Sequence, residues 1–382
     1  MSRTTFDVIV IGGGLHGLAT AWHLASQQVS GRATSVAVVD QFRLGHARGS
    51  SHGSTRITRS TYGDPAYVEL MRVARAEDWR RLESDAHAPL VRPCEGIFFG
   101  PRGGVFDAFA AQAYGDEVEL VSREVARARF PLFSFVDAPE VLLDHTAGVI
   151  EARATLDVLA RVAILRGVTM FEDTRVFGID HSHDPIVLDT SNGAMRARRL
   201  VVTAGPWTTR LVPELATRLR TVRQHVGYFH LDAPEAQERL GAFPVFAHLG
   251  ATTDDIHYGL PSWEGEGIKA ARHTMRGNDD PELLEAPSTA ALESVERFLA
   301  EQITVPVRKR VSADTCFFTV TEREDYILDV HPRDPRIVIG AGFSGHGFKL
   351  GPTSGRILAE LVLHGRSTVE PFERHRAQFA IG

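Results

Sequence analysis

Phe6-Asp7-Val8-Ile9-Val10-Ile11-Gly12-Gly13-Gly14-Leu15-His16-Gly17 is the stretch that decides the fold. Its first half is short, apolar and β-branched, with no helical period, which reads as a buried strand. Its second half places Gly12, Gly14 and Gly17 in the spacing G-x-G-x-x-G. An apolar, alanine-rich helix follows over residues 18–25. A second strand, Ser35-Val36-Ala37-Val38-Val39, ends on Asp40. Strand, glycines, helix, strand and acid in this order form a dinucleotide-binding fingerprint. The glycines let backbone approach a pyrophosphate, the helix N-terminus offers partial positive charge, and the acid accepts from a ribose hydroxyl. Asp40 lies 26 residues beyond Gly14 (40 − 14), against a usual ~20. Residues 27–35 are therefore expected to form a lengthened loop.

Downstream, Gly49-Ser50-Ser51-His52-Gly53-Ser54-Thr55-Arg56-Ile57-Thr58-Arg59 combines small residues with two arginines three apart. The small residues permit close backbone approach to a ligand. Arg56 and Arg59 share a face if the segment is helical. Helices are expected over residues 67–83 and 149–166, and strands over 95–100, 168–170 and 176–179. Residues 200–207 read as a buried strand ending in small residues. Between about 219 and 320 alternating β-like stretches dominate. Ile337-Val338-Ile339-Gly340-Ala341-Gly342 then returns to the style of the first segment. It is followed by Phe343-Ser344-Gly345-His346-Gly347-Phe348-Lys349 and a helix with Pro352 in its first turn. The expected fold class is α/β, a Rossmann-type nucleotide-binding domain interleaved with a β-sheet substrate domain. The first takes residues 1–88, 145–219 and 320–382; the second takes 89–144 and 220–319.

Composition narrows the function. The 382 residues carry 42 basic and 48 acidic side chains, a net charge of −6. That balance speaks against a nucleic-acid partner, and Arg308-Lys309-Arg310 reads as a solvated patch. No apolar run approaches the ~18 residues a membrane helix needs. With two cysteines, Cys94 and Cys316, a disulfide scaffold is excluded, and a cytoplasmic setting is the simplest expectation. The 17 histidines form no ligand-spaced cluster with cysteine or acid, so no metal is expected. Only Lys269, Lys309 and Lys349 are lysines, against 39 arginines (42 − 3). A lysine in such a chain points to a place where a compact ammonium is wanted rather than a planar fork.

FDVIVIGGGxxG near the start, GSxHGxTRxxR after it, a lone cysteine before D-x-H-P, and GAGFSGHGFK together resemble the monomeric sarcosine oxidase and N-methyltryptophan oxidase group. These are flavoproteins of the D-amino-acid-oxidase-like superfamily, and the resemblance covers almost the whole chain. It implies FAD as cofactor, bound through Gly12, Gly14, Gly17, Asp40, His52, Thr55, Gly345, His346 and Gly347. It also implies covalent attachment at Cys316, which precedes Asp329-Val330-His331-Pro332. Arg59 and Lys349 match the pair that holds a substrate carboxylate. Lys269 matches the lysine that promotes reaction with oxygen, Arg56 a group close to the flavin, His273 an active-site histidine and Tyr258 a pocket wall. Three positions depart from the group's pattern: Phe318 replaces a tyrosine, Ala247 a bulkier methionine, and Trp263-Glu264-Gly265-Glu266 is unusually acidic.

The reaction so implied is oxidation of a secondary amine bearing a carboxylate to an imine, with oxygen reduced to hydrogen peroxide. The expected partners are the small amine and oxygen, and a monomer is expected. Two alternatives stand beside it. One is a flavin amine dehydrogenase with a non-oxygen acceptor, the other an accessory FAD-binding subunit of an amine-oxidising complex.

Overall fold

The computed structural model describes residues 5–29, 32–113, 117–232, 243–261, 265 and 267–381. Among these, two eight-stranded sheets carry the architecture. The strand Thr5–Ile11 lies between Val36–Val39 and Met195–Val202, parallel to both. Thr169–Phe171 extends the parallel set beyond Val36–Val39, and Ile337–Ala341 extends it beyond Met195–Val202. The antiparallel strands Val176–Asp180, Ile186–Thr190 and Ile327–Val330 complete this sheet. Every residue of Val36–Val39 and Ile337–Ala341 is buried, as parallel strands covered on both faces require.

One cover is helical. Leu15–Leu24 packs against Gly351–His364 and Ala152–Leu165. The contact with Gly351–His364 is close because a Cβ at Gly355 would fall 2.5 Å from that of Ala19. Two expectations need correction here. The helix expected from residue 149 begins at Ala152, because Val149, Ile150 and Glu151 belong to the strand Gly148–Glu151. That strand joins Thr55–Thr58 and Val91–Pro93 in a three-stranded sheet. The loop expected over 27–35 contains a short pairing of Gln28–Val29 with Arg32–Ala33; residues 30 and 31 lie outside the described residues.

The second sheet runs Val307–Val320, Arg220–Leu231, Ile268–Arg272, Ile256–Pro261, Val245–Leu249, Gly96–Phe99, Glu140–Asp144, Val118–Ser122. Its pairs are antiparallel except Val245–Leu249 with Gly96–Phe99, which is parallel. Side chains alternate between its faces. Phe229, Ile268, Ala270, Phe246 and Phe99 point to the back, into a core with Val295, Phe298 and Leu299. Those three come from the helix Thr289–Gln302, whose N-terminus is capped by Ser288 accepting from the Ala291 N–H. The opposite face looks into a cavity.

Candidate active site

The cavity measures about 710 Å³ and runs from the Gly12–Gly14 turn to the open face of the second sheet. At its first end, Gly12 has φ +103°, and a Cβ there would lie 2.4 Å from the Thr203 carbonyl oxygen. A Cβ at Gly17 would fall 1.8 Å from the Gly12 oxygen, so no other residue fits. Asp40 is buried; its carboxylate accepts from the N–H groups of Gly13 at 2.6 Å and Phe42 at 2.8 Å. The acid expected to meet a ribose thus also ties the glycine turn to the second strand. Ser51 Oγ accepts from the Leu15 N–H, bringing the small-residue segment up to the helix start.

At the other end, alternate residues of the second sheet form adjacent rows on its cavity face. Phe98, Ala247, Tyr258, Ala271, Val226 and Asp314 make one row across six strands. Leu260, Lys269 and Tyr228 lie in the row to one side. Cys316 and Gln224 pair on the other side, where His273 donates its N–H to Ile256. Four site residues chosen from sequence, Tyr258, Lys269, His273 and Cys316, therefore share one surface because the period of a strand is two.

Lys269 is buried, and its Nζ donates to the Thr55 carbonyl at 3.2 Å. It lies beside Gly53, whose φ of +95° excludes most side chains. Arg56 donates to the carbonyls of Ser50, His52 and Thr55, so its guanidinium ties the segment to itself. Arg56 and Arg59 sit on the strand Thr55–Thr58 and just beyond it, in place of the helix considered for their shared face. His52 Nε2 lies 3.1 Å from Asp314 Oδ2. Burial works against the Asp314 carboxylate, but the His52 hydrogen bond and charge outweigh it and hold its pKa below the usual range. Burial raises the Cys316 thiol, and the charges of Arg56 and Lys269 oppose that rise.

Arg59 and Lys349 come together although 290 positions separate them (349 − 59). The Arg59 guanidinium lies over the rings of Tyr62, Phe98 and Phe109, at 4.6, 5.2 and 5.6 Å. Lys349 is 5% exposed, and its Nζ donates to Tyr62 Oη and the His346 carbonyl. Among the described residues neither cation is paired with a carboxylate. Burial, and then the Arg59 charge, push the Lys349 ammonium well below the ordinary lysine range. Burial, with Arg59 and Lys349 next, pushes His273 down to about 4, so its imidazole is neutral.

The turn carrying Lys349 is firmly held. Trp79 Nε1 donates to the Lys349 carbonyl at 2.8 Å. Gly345 has φ +76°, and a Cβ there would meet the Phe318 ring at 2.4 Å. A Cβ at Gly347 would meet Phe343 at 2.6 Å and His16 at 3.0 Å. His346, which the resemblance assigns to the cofactor, lines the cavity, and its ring nitrogens are engaged by the hydroxyls of Tyr62 and Tyr326 and the Glu324 carbonyl. Gly345 and Gly347 line the cavity on either side of it. Tyr62, Tyr326, Asp314 and Tyr228 did not stand out in the sequence; only Tyr62, three residues past Arg59, carried a usable signal. Gly265 is described, but Trp263, Glu264 and Glu266 lie outside the described residues.

The cavity suits an extended dinucleotide. It begins at a glycine turn with room for phosphate backbone and ends among cations, and three buried polar atoms in its lining have no hydrogen-bond partner among the described residues. These are His52 Nδ1, Thr55 Oγ1 and one Arg59 guanidinium nitrogen. Comparison with known proteins agrees. Residues 7–361 match the family model described as FAD dependent oxidoreductase.

The chain belongs to that family.

Within it, the FAD dependent oxidoreductase described here is 35% identical over 372 residues to peroxisomal sarcosine oxidase of Mus musculus, covering 95% of this chain and 93% of the relative. It is 31% identical over 373 residues to monomeric sarcosine oxidase of Bacillus sp. (strain B-0618), covering 95% and 94%. Among solved structures, the open form of NikD, an amino acid oxidase essential for nikkomycin biosynthesis, superposes with a TM-score of 0.82 at 22% identity. That match covers 99% of this chain and 98% of NikD and shows a shared fold. Among the described residues no group of three or more His, Cys, Asp or Glu is arranged to hold a metal, and no helix is long and apolar enough to cross a membrane.

Proposed function

We propose that this enzyme oxidises secondary amines that carry a carboxylate, namely N-alkyl or cyclic amino acids, with oxygen as acceptor. The observation that carries this reading is the Arg59–Lys349 pair, two cations facing one cavity without a carboxylate of their own among the described residues. Leaving the buried Lys349 ammonium and a buried guanidinium nitrogen of half-buried Arg59 without a counter-charge is costly unless a ligand supplies it. Arg59 offers a planar fork for bidentate contact and Lys349 a point charge beside it. That grip fixes the α-carbon and nitrogen against the Tyr258–Lys269 face, which is catalysis by positioning. FAD, when bound, supplies the two-electron chemistry that converts the amine to an imine and oxygen to hydrogen peroxide.

The protein's own residues do the rest. Gly12, Gly14, Gly17 and Asp40 would hold the dinucleotide, with His52, Thr55 and the Gly345–Gly347 turn lining the same cavity as further binding residues. Neutral His273 beside Arg59 and Lys349 tolerates an uncharged amine, the form whose lone pair drives C–H cleavage. Lys269 stands where negative charge develops on oxygen, and Arg56 adds to the positive field. Cys316 is the thiol for covalent attachment, supported by its place on the cavity face beside Asp314. The chain acts as a monomer. Domain boundaries at 1–88, 145–219 and 320–382 against 89–144 and 220–319 suit a cavity built between two sheets.

Turnover separates oxidase from dehydrogenase. With sarcosine or another N-methyl amino acid and oxygen alone, one hydrogen peroxide should form for each amine consumed. Turnover that requires an added quinone or dye, with oxygen inert, rejects the oxidase reading.

A further inference from the structure

Four of the five residues of Val245–Leu249 are buried; Ala247 is the exception. Its neighbours across the sheet are large, Phe98 on one strand and Tyr258 on the other. A methyl group between two rings leaves a notch, and this notch opens into the cavity. Val105 and Phe109, on the helix Val105–Gln112, close over it with Ile256 and Leu249 in one apolar cluster. Val105, Phe109, Ala247 and Ile256 are all only half-buried, so the cluster keeps an open apolar surface on the cavity side. The guanidinium of Arg59 rests on the rings of Phe98 and Phe109. A carboxylate held by Arg59 therefore sits at the rim of this chamber.

We propose that the chamber receives the side chain of the substrate, and that the enzyme prefers secondary-amine amino acids with an apolar side chain of about leucine size over sarcosine. Ala247 and Phe109 set the size limit. This rests on the reading of Arg59 as the carboxylate anchor. Sarcosine has no side chain and leaves these walls uncovered, whereas each methylene buried there contributes roughly a factor of four to kcat/KM. Among the described residues these apolar walls offer no charge besides Arg59, which the substrate's own carboxylate occupies, so a charged side chain should be rejected.

The test is a substrate series with the flavin-loaded enzyme, followed by oxygen consumption. The series is sarcosine, N-methylalanine, N-methylvaline, N-methylleucine and N-methylaspartate, each chiral member as both enantiomers. For one enantiomer kcat/KM should rise from sarcosine to N-methylleucine by at least about tenfold, with N-methylaspartate poor. In Ala247→Met the ratio of N-methylleucine to sarcosine should fall at least about tenfold, because the new side chain fills the notch. If that variant loses its flavin spectrum, Ala247→Val provides the same comparison. Sarcosine as the best substrate, or a ratio unmoved by filling the notch, overturns the proposal while the amine-oxidase reading stands. No turnover with any member is a different result, which removes that reading and the proposal with it.

Discussion

Lysine is so scarce here that its positions carry meaning. Lys269 and Lys349 both end in the cavity lining, buried, each presenting a compact ammonium rather than a planar fork. Lys269 sits between Gly53, Thr55 and Tyr228, on the same face as Cys316. In its proposed role of assisting oxygen, Lys269 should act on one half-reaction only. Lys269→Met is expected to slow reoxidation by oxygen about 100-fold or more, with a much smaller effect on anaerobic reduction by amine. Stopped-flow traces of the two half-reactions decide this; equal slowing of both removes Lys269 from the oxygen step. Cys316 carries a second expectation. Acid-precipitated protein should stay yellow, and in Cys316→Ser the flavin should pass to the supernatant. A colourless wild-type pellet contradicts the covalent link.

At the scale of the element, the second sheet divides its labour by face. Alternation puts chemistry on one side and core on the other, yet the core side also holds polar groups. His257 is 5% exposed and stacks on Phe298, with ring centroids 4.4 Å apart. Among the described residues neither of its nitrogens has a hydrogen-bond partner, and Asp255 Oδ1 stands 3.8 Å from Nδ1. Burial pushes its pKa down to about 4, against the modest opposing pull of Asp255. A histidine whose folded pKa is depressed contributes stability above its unfolded value near 6.5 and loses it as pH falls toward 4. The loss at the acid end amounts to roughly 3 kcal/mol for this group. His257→Phe keeps the stack and removes the titration. The melting temperature of the variant should match or exceed wild type at pH 7 and fall less between pH 6.5 and 4.5. Parallel pH profiles for the two proteins contradict this account.

The elements also show what a sequence can and cannot reveal. Phe6 to Asp40 was legible because its strand, turn, helix and acid are local, and glycine is required where the turn would otherwise clash. Val149 to Glu151 was misread because a β-branched run leads without a break into an amphipathic helix. The parallel pairing of Gly96–Phe99 with Val245–Leu249 joins strands about 150 residues apart, and no local period encodes it. The hydrogen bonds of His346 to Tyr62 and Tyr326 were likewise invisible, since each tyrosine alone looks like core.

At the scale of the molecule, the site exists because the two sheets meet. The first brings the glycine turn, Asp40 and the Gly345–Gly347 turn; the second brings Tyr258, Lys269, His273 and Cys316. Arg59 and Lys349 arrive from segments near opposite ends of the chain. A clasp reinforces the junction. Glu282, in the segment beyond Ile268–Arg272, receives hydrogen bonds from Arg175 at 3.1 Å and Trp207 at 3.2 Å and also contacts Arg210. The net charge of −6 does not attract anionic ligands, so in the proposed reading it is the local pair of cations that selects the carboxylate.

That selection is the central claim, and anaerobic reduction tests it most directly. Flavin absorbance is followed after mixing the holoenzyme, without oxygen, with an N-methyl amino acid or with its methyl ester. The free acid should bleach the flavin at micromolar to millimolar concentration. The ester keeps the amine but lacks the charge, and should require at least about 100-fold more, the loss expected for a desolvated charge partner. Equal reduction by acid and ester, or no bleaching by either, contradicts the account.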